Sequence, residues 1–483
     1  RNESGQTPMF KALEKYVTPT RPFPMEVLDA VQEQMRGVTA QISPLRKLGE
    51  FDIDDITNGL PIEHYERMNP DSSVGWPFIK YKPAGALPGK RWIWDFDTQD
   101  ERYRLKDPIV IEAIRQRLYD IQEFKHQPAV WNHCLKAERR PLEKIKSGST
   151  RIFTMSPVDF TYIGRILFFD YTAAYIAARI KIHSCVGIDP ASPEWTVLYH
   201  KLMIFGGKGF GIDWSKFDGT EDAEVMWRVC QNVNYWYNMF GNGCLVRFFD
   251  EEIFLTPEQC NSARLNYVND MIHSVQIVMN VLHMKHQGMP SGCIVTVTFN
   301  SDSQNFYVRI TFILLAEEND PQVAHEFDDH VSDADYGDDA VVMPDQLVGQ
   351  WFHYINFSNK IKEFDLVCTP SDKNGKPYTL INLSEITFLK RGFIPDKDEP
   401  DKIKAPIDMK TILEMINWIR ECDDEEQAMY DNIKTALKEL TMHDVYLTNI
   451  LLTMINSQLA TINLKPVVFS ATQYKKLWSG SFY

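Results

Sequence analysis

A chain of 483 residues, 44% hydrophobic and 24% charged, holds enough apolar material for about three domains' worth of core and belongs among folded globular proteins. No apolar run nears the roughly 18 residues of a bilayer span, and the polar opening RNESGQTP lacks the hydrophobic stretch of a secretory signal, so membrane contact is expected to be peripheral at most. The eight cysteines include no C-x-x-C pair, which excludes a zinc ribbon or a small disulfide framework and leaves reduced, mostly buried thiols.

The opening at Arg1, without an initiator methionine, fits release from a longer precursor or trimming. The first two hundred residues mix short helical and extended stretches, broken by PTRPFP at 19–24 and KPAGALPGK at 82–90. From His133 to Arg151 six basic side chains face two acidic ones, a local +4 within a chain of net charge −15. Distribution therefore matters more than the total, because only local cations neutralise a phosphate. Pro141 and Gly148 predict a looped or extended path there. Between about 205 and 395 short apolar strands alternate with helices, predicting α+β architecture with antiparallel pairing. Acidity collects at 326–335, 396–402 and 421–426, runs expected to be solvated loops. After about 405 the pattern is helical, and Met429, Ile433, Ala436, Leu437 and Leu440 form one apolar stripe.

Two carboxylate clusters carry the chemistry. In Asp335-Tyr336-Gly337-Asp338-Asp339-Ala340-Val341-Val342-Met343 a Gly-Asp turn signal precedes an apolar run, which predicts a buried strand holding its acids at a core edge. Alone, an Asp-Asp pair is more often a hydrated surface turn. The stretch Phe210-Gly211-Ile212-Asp213-Trp214-Ser215-Lys216-Phe217-Asp218 is a second apolar strand ending in an acid, with a helix from about Glu221. Carboxylates fixed at core edges need a counter-charge, and hard oxygen ligands suit Mg²⁺, with Mn²⁺ able to substitute; two such ions about 3.5–4 Å apart serve phosphoryl transfer. Further along, Gly288-Met289-Pro290-Ser291-Gly292-Cys293 forms a tight loop, and Thr296 and Asn300 share one helix face at i, i+4.

The D-x4-D of Asp213 and Asp218, the later GMPSG…T…FN and YGDD stand in the order found in picornavirus-like RNA-dependent RNA polymerases, which this chain resembles across residues 71–391. The resemblance implies an α+β right-hand fold: fingers at 1–196, palm at 197–226, a fingers insertion at 227–274, palm again at 275–394, and a helical thumb at 395–483. It implies that Asp213, Asp338 and Asp339 hold two Mg²⁺ ions, and that Asp218, Ser291, Thr296 and Asn300 read the ribose hydroxyls. Lys136, Arg140, Lys144 and Arg151 match basic residues lining the channel through which nucleotides arrive. Lys373 matches a lysine that protonates leaving pyrophosphate. Ser72, Ser73 and Gly75 match the motif at the mouth of the template channel, and Lys390 and Arg391 the segment that grips the primer. The implied partners are RNA template and primer, NTPs and a small genome-linked protein primer, in host cytoplasm at virus-induced replication membranes. Ala137, where picornaviral chains carry an acid, and Arg1, where they carry glycine, point toward the iflavirus- or dicistrovirus-like branch.

Three other readings compete. A protease built on Ser291 or Cys293 lacks the G-x-S-x-G elbow and a fixed histidine. A reverse transcriptase would carry Met or Val at Gly337 and a bulky aromatic at Asp218. A non-enzymatic RNA-binding protein would have lost a metal ligand, and all are present. Gly206-Gly207-Lys208-Gly209 is no phosphate-binding Walker loop, since the lysine is followed by glycine.

Overall fold

The computed structural model describes residues 7–371, 376–419 and 422–478. Its central sheet is built from the two apolar runs that end in acids. Asp339–Pro344 pairs antiparallel with Val331–Tyr336 on one side and Lys208–Trp214 on the other; Cys368–Pro370 and Ile381–Asn382 add to the far edge of Lys208–Trp214. Residues 340–344 are buried, as the run Ala-Val-Val-Met predicts for a strand covered on both faces. Gly337, at a φ of 62°, gives the two-residue turn of this hairpin the left-handed geometry it needs at its first position. At the open end of the hairpin His330 Nδ1 lies 2.7 Å from Asp345 Oδ2, and the Asp345 amide donates to the His330 carbonyl at 2.8 Å.

The helix Thr296–Asn319 lies buried along this sheet. Its Asn305 amide donates to Asp333 at 2.5 Å and to Asp335 at 2.8 Å, while Arg309 grips Asp328 with both terminal nitrogens. The acidic run at 326–335 is therefore not a solvated loop. Its last five residues are buried along a core strand, and Asp333 and Asp335 meet one asparagine. Burial, then the Asp333 charge, drives the Asp335 carboxyl well above the usual range.

A second sheet orders Val281–Met284, Val275–Val278, Val130–Leu135 and Ile152–Met155, with the middle pair parallel. The strands at 275–284 thus hydrogen-bond with Val130–Leu135 and not with the central sheet. A third sheet joins Glu50–Asp52 to the hairpin Cys244–Phe248 and Glu251–Leu255. Between these layers runs Val158–Ala177, a helix apolar nearly all round and buried along almost its whole length.

The C-terminal part is helical: Met409–Met415, Glu425–Thr441, Val445–Thr461 and Ala471–Trp478. The predicted stripe is its core, with Ile433, Ala436, Leu437 and Leu440 buried. Among the described residues no helix is long and apolar enough to cross a membrane, and all eight cysteines are unpaired.

Candidate active site

Strand register creates the site. Asp213 stands opposite Asp339 across adjacent strands, and Asp338 occupies the turn beside them. Asp213 and Asp338 face a cavity of about 730 Å³, within the range of small-ligand sites, while Asp339 lies outside its lining. Asp213, Asp218, Asn300 and Asp338 line one side; Arg140, Lys144 and Arg151 line another. Six cationic and four acidic side chains surround this space, so the balance is positive in a chain of −15. Burial pushes the Asp338 carboxyl up, and the neighbouring Asp213 and Asp218 charges add to this. An acid whose charged form is disfavoured by burial and by neighbouring carboxylates is one that a bound cation would relieve.

Asp218 sits in the single turn Phe217–Thr220, entered through Lys216 at a φ of 62°. This turn is stitched to the Gly288 loop by two backbone bonds of 2.9 Å, Gly288 N to Glu221 O and Met289 N to Asp218 O. Gly288 has a φ of 81°, and a Cβ there would lie 2.6 Å from the Asp218 carbonyl oxygen. Asp218 and Asn300, 82 residues apart in sequence, are thereby held in one cavity. The two other predicted ribose readers are placed differently. Ser291 Oγ accepts from the Thr154 amide at 3.0 Å and is exposed. The Thr296 hydroxyl is within 3.0 Å of both the Pro290 and Cys293 carbonyls and accepts from the Cys293 amide at 3.2 Å, so it braces the loop. Neither lines the cavity.

The basic segment leaves the hairpin of Val130–Leu135 and Ile152–Met155 as a loop carrying one short helix, Leu142–Lys146. Arg151 does not stand free: its guanidinium pairs two-pronged with Glu138, and Arg140 Nε lies 3.6 Å from the same carboxylate. The acid missing at Ala137 is supplied one position later. Arg139 reaches Glu414 at 3.1 Å and stacks on Trp418, tying this loop to the C-terminal helices. Lys136 is exposed and lies outside the cavity wall.

Ser72, Ser73 and Gly75 also lie outside the cavity lining. Their loop packs on Ser156 and the start of Val158–Ala177, and a Cβ on Gly75 would meet the Ser156 carbonyl at 2.2 Å. Lys90 donates to the Ser72 and Ser73 carbonyls from a buried position that lowers its ammonium to about 8. Leu389 and Lys390 form a tight turn between Phe388 and Arg391, leaving Lys390 exposed at its tip. Arg391 does not join it as an open cation: both terminal nitrogens bind Glu439 at 2.8 Å, and one also reaches the Ala405 carbonyl. Lys373 lies outside the described residues.

Several groups at the site carry no signal in the sequence. Lys15 forms an ion pair with Asp218, and Lys11 donates to the Ser147 carbonyl at 2.6 Å, so the segment 8–16 lies over the cavity. Glu221 is fully buried beneath Asn300. Isolated lysines 136 and 203 residues from their partners resemble any surface cation.

The geometry accords with known proteins. The family model described as viral RNA-dependent RNA polymerase matches residues 1–458. The genome polyprotein of Rice tungro spherical virus (strain A) is 28% identical over 488 residues, covering 98% of this chain and 14% of the polyprotein. The replicase polyprotein of Acute bee paralysis virus is 27% identical over 393 residues, covering 80% of the chain and 19% of that polyprotein. The chain thus spans less than a fifth of the length of these relatives. Among solved structures, the Sicinivirus 3Dpol RNA dependent RNA polymerase superposes with a TM-score of 0.74 at 19% identity, covering 95% of this chain and 86% of that one, which establishes the right-hand fold. The chain belongs to the viral RNA-dependent RNA polymerases, of the picorna-like kind.

Proposed function

We propose that the chain extends a primer 3′-hydroxyl on an RNA template by two-metal nucleotidyl transfer from NTPs, with Asp213, Asp338 and Asp339 as the protein ligands of Mg²⁺ and with Mn²⁺ able to replace it. The observation that carries this reading is the register that sets Asp213 opposite Asp339 with Asp338 in the adjoining turn, Asp213 and Asp338 facing a cavity of net positive lining. The donor set is all oxygen, the chemistry Mg²⁺ prefers. Among the described residues no three acidic, histidine or cysteine side chains converge as a protein-only cage. A Mg²⁺ site of one or two carboxylates completed by substrate phosphates and water fits that spacing. Bound metal would supply charge neutralisation at the triphosphate and a lowered pKa at the attacking hydroxyl.

The chain's own residues do the rest. Arg140, Lys144 and Arg151 neutralise triphosphate charge along one wall, with Lys136 beyond it. Asp218 and Asn300 hydrogen-bond the ribose hydroxyls, while Ser291 and Thr296 hold the loop that positions them; a deoxynucleotide would leave that polar pair unsatisfied. Ser72, Ser73, Gly75 and Lys390 contact RNA, and Lys373 protonates pyrophosphate as the family resemblance implies. The same resemblance supports a small genome-linked protein as primer and peripheral association with replication membranes in the host cytoplasm. The test is Asp338→Asn in a primer-extension assay: extension is expected to vanish with RNA affinity nearly intact, and activity retained within tenfold would sink the metal assignment.

A further inference from the structure

The carboxyl of Glu221 has no place in the chemistry above, yet it lies directly beneath it. Glu221 follows the turn Phe217–Thr220, three residues after Asp218, so the two acids share one face of that turn. Its backbone is fixed from two sides: its amide donates to the Phe217 carbonyl at 3.0 Å, and its carbonyl accepts from Gly288 at 2.9 Å. The side chain is fully buried among Asn300 and Ser303 of the helix Thr296–Asn319, with the Lys285 ammonium and the Asp218 and Asp338 carboxylates as its charged neighbours. No partner stands in hydrogen-bond geometry to one carboxyl oxygen, Oε1, although the Ser303 hydroxyl is close enough to favour the charged form. Burying an acid so sparsely partnered is costly and calls for a compensating role.

The other oxygen supplies one. Hydrogen-bond complementarity orients the Asn300 carboxamide with its nitrogen toward the Thr296 carbonyl, at 2.8 Å, and toward Glu221 Oε2, at 3.3 Å. Both amide hydrogens are then committed, and the carbonyl oxygen is the only part of Asn300 left to meet a nucleotide. An acceptor in that place receives a hydrogen bond from a ribose hydroxyl. Turned over, the same carboxamide would offer a donor.

We infer that Glu221 is a positioning residue for ribose discrimination, acting through Asn300 by fixing which end of its carboxamide faces the nucleotide. The inference rests on the reading of Asn300 as a ribose contact. It does not depend on the charge of Glu221, since a carboxyl accepts through an oxygen in either protonation state. Burial nonetheless raises it to about 8, with Asp218 and Asp338 adding to the rise against the opposing pull of Ser303 and Lys285.

The test compares kcat/KM for a ribonucleoside triphosphate and its 2′-deoxy counterpart in single-nucleotide primer extension. Glu221→Met keeps the volume and removes the acceptor. Glu221→Asp keeps the acid but shortens its reach, and Glu221→Gln keeps an oxygen at full length. The first two are expected to narrow the ribose preference roughly fivefold, the worth of one neutral hydrogen bond, and the glutamine variant to restore it. In an Asn300→Ala background Glu221→Met is expected to add nothing, because the effect travels through the residue already removed. Glu221→Asp decides the matter if the methionine variant does not fold. If Asn300→Ala changes the preference and neither Glu221 variant does, the inference is wrong and the ribose reading stands. If Asn300→Ala changes nothing, both fall. An undiminished Glu221→Met effect in the Asn300→Ala background overturns the inference as well.

Discussion

Substituting Gly288 by alanine tests whether apposition of two backbones builds the ribose site. At a φ of 81° any L-residue is strained, by about 1–2 kcal/mol. The added Cβ would sit 2.6 Å from the Asp218 carbonyl oxygen and 3.1 Å from the Gly219 backbone, so the two segments must separate by several tenths of an ångström. Overpacking of that kind costs about 1–3 kcal/mol. The sum, about 2–5 kcal/mol, is a large share of an ordinary domain's stability but need not unfold it. The displacement falls on the carbonyl that receives the Met289 amide at 2.9 Å, the link between Asp218 and the loop leading to Asn300. Since misplacement by about 1 Å can cost a hundredfold in rate, a shift of about half that should lower ribonucleotide kcat/KM roughly tenfold and narrow the ratio to deoxynucleotides. Single-nucleotide extension and a thermal melt measure both consequences. Gly37, in the helix Met25–Thr39 with open space where a Cβ would stand, is the control: Gly37→Ala should hold or raise Tm. A Gly288→Ala enzyme within twofold of the parent in kcat/KM and unchanged in Tm would refute the reasoning.

Three more outcomes are expected. Arg391→Ala should lower stability by about 3 kcal/mol by stranding Glu439, with recovery in the Arg391→Ala, Glu439→Ala double variant, and should weaken RNA affinity less than Lys390→Ala; thermal melts and RNA titrations check this. Glu138→Gln should release Arg151 and Arg140 and lower the NTP KM about two- to threefold at low salt, a gain that about 0.5 M salt erases; an unchanged KM would show that the ion pair does not compete with triphosphate. His330 is raised above 6.5 by its hydrogen bond to Asp345, so its contribution is full below pH 6.5 and is lost as pH climbs through the folded value. The Tm gap between the parent and His330→Gln should therefore be widest near pH 5.5 and close by pH 9.

What the sequence made legible was local. Gly337 and the run from Ala340 to Met343 encode their own hairpin and burial, and the C-terminal stripe encodes a helix face, because turn chemistry and periodicity act over a few residues. Asp333 and Asp335 misled because an acidic run reads as solvated unless its partners are known, and Asn305 and Arg309 lie on another element. Arg391 read as an open cation for the same reason, its acid being 48 residues downstream. The pairing of Lys15 with Asp218 and of Asn300 with Glu221 are products of tertiary approach alone. Sequence named the acids and the asparagine that face the cavity; it did not reveal what holds them there.

The register that sets Asp213 opposite Asp339 also fixes where this chain can gain or lose residues. A strand pairs its neighbour with a period of two, so inserting one residue between Asp339 and Pro344, or between Lys208 and Asp213, would exchange the strand's two packed faces and carry an acid away from its partner at the same stroke. Length change in those strands is coupled to loss of both packing and chemistry. The exposed stretches 400–401 and 422–423, beyond the buried Asp396 and the helix cap Asp424, carry no such coupling. Tolerated insertions, affinity tags placed internally and sites of chain permutation belong there, and a linker scan along the chain should find function erased first in the two strands that hold the acids.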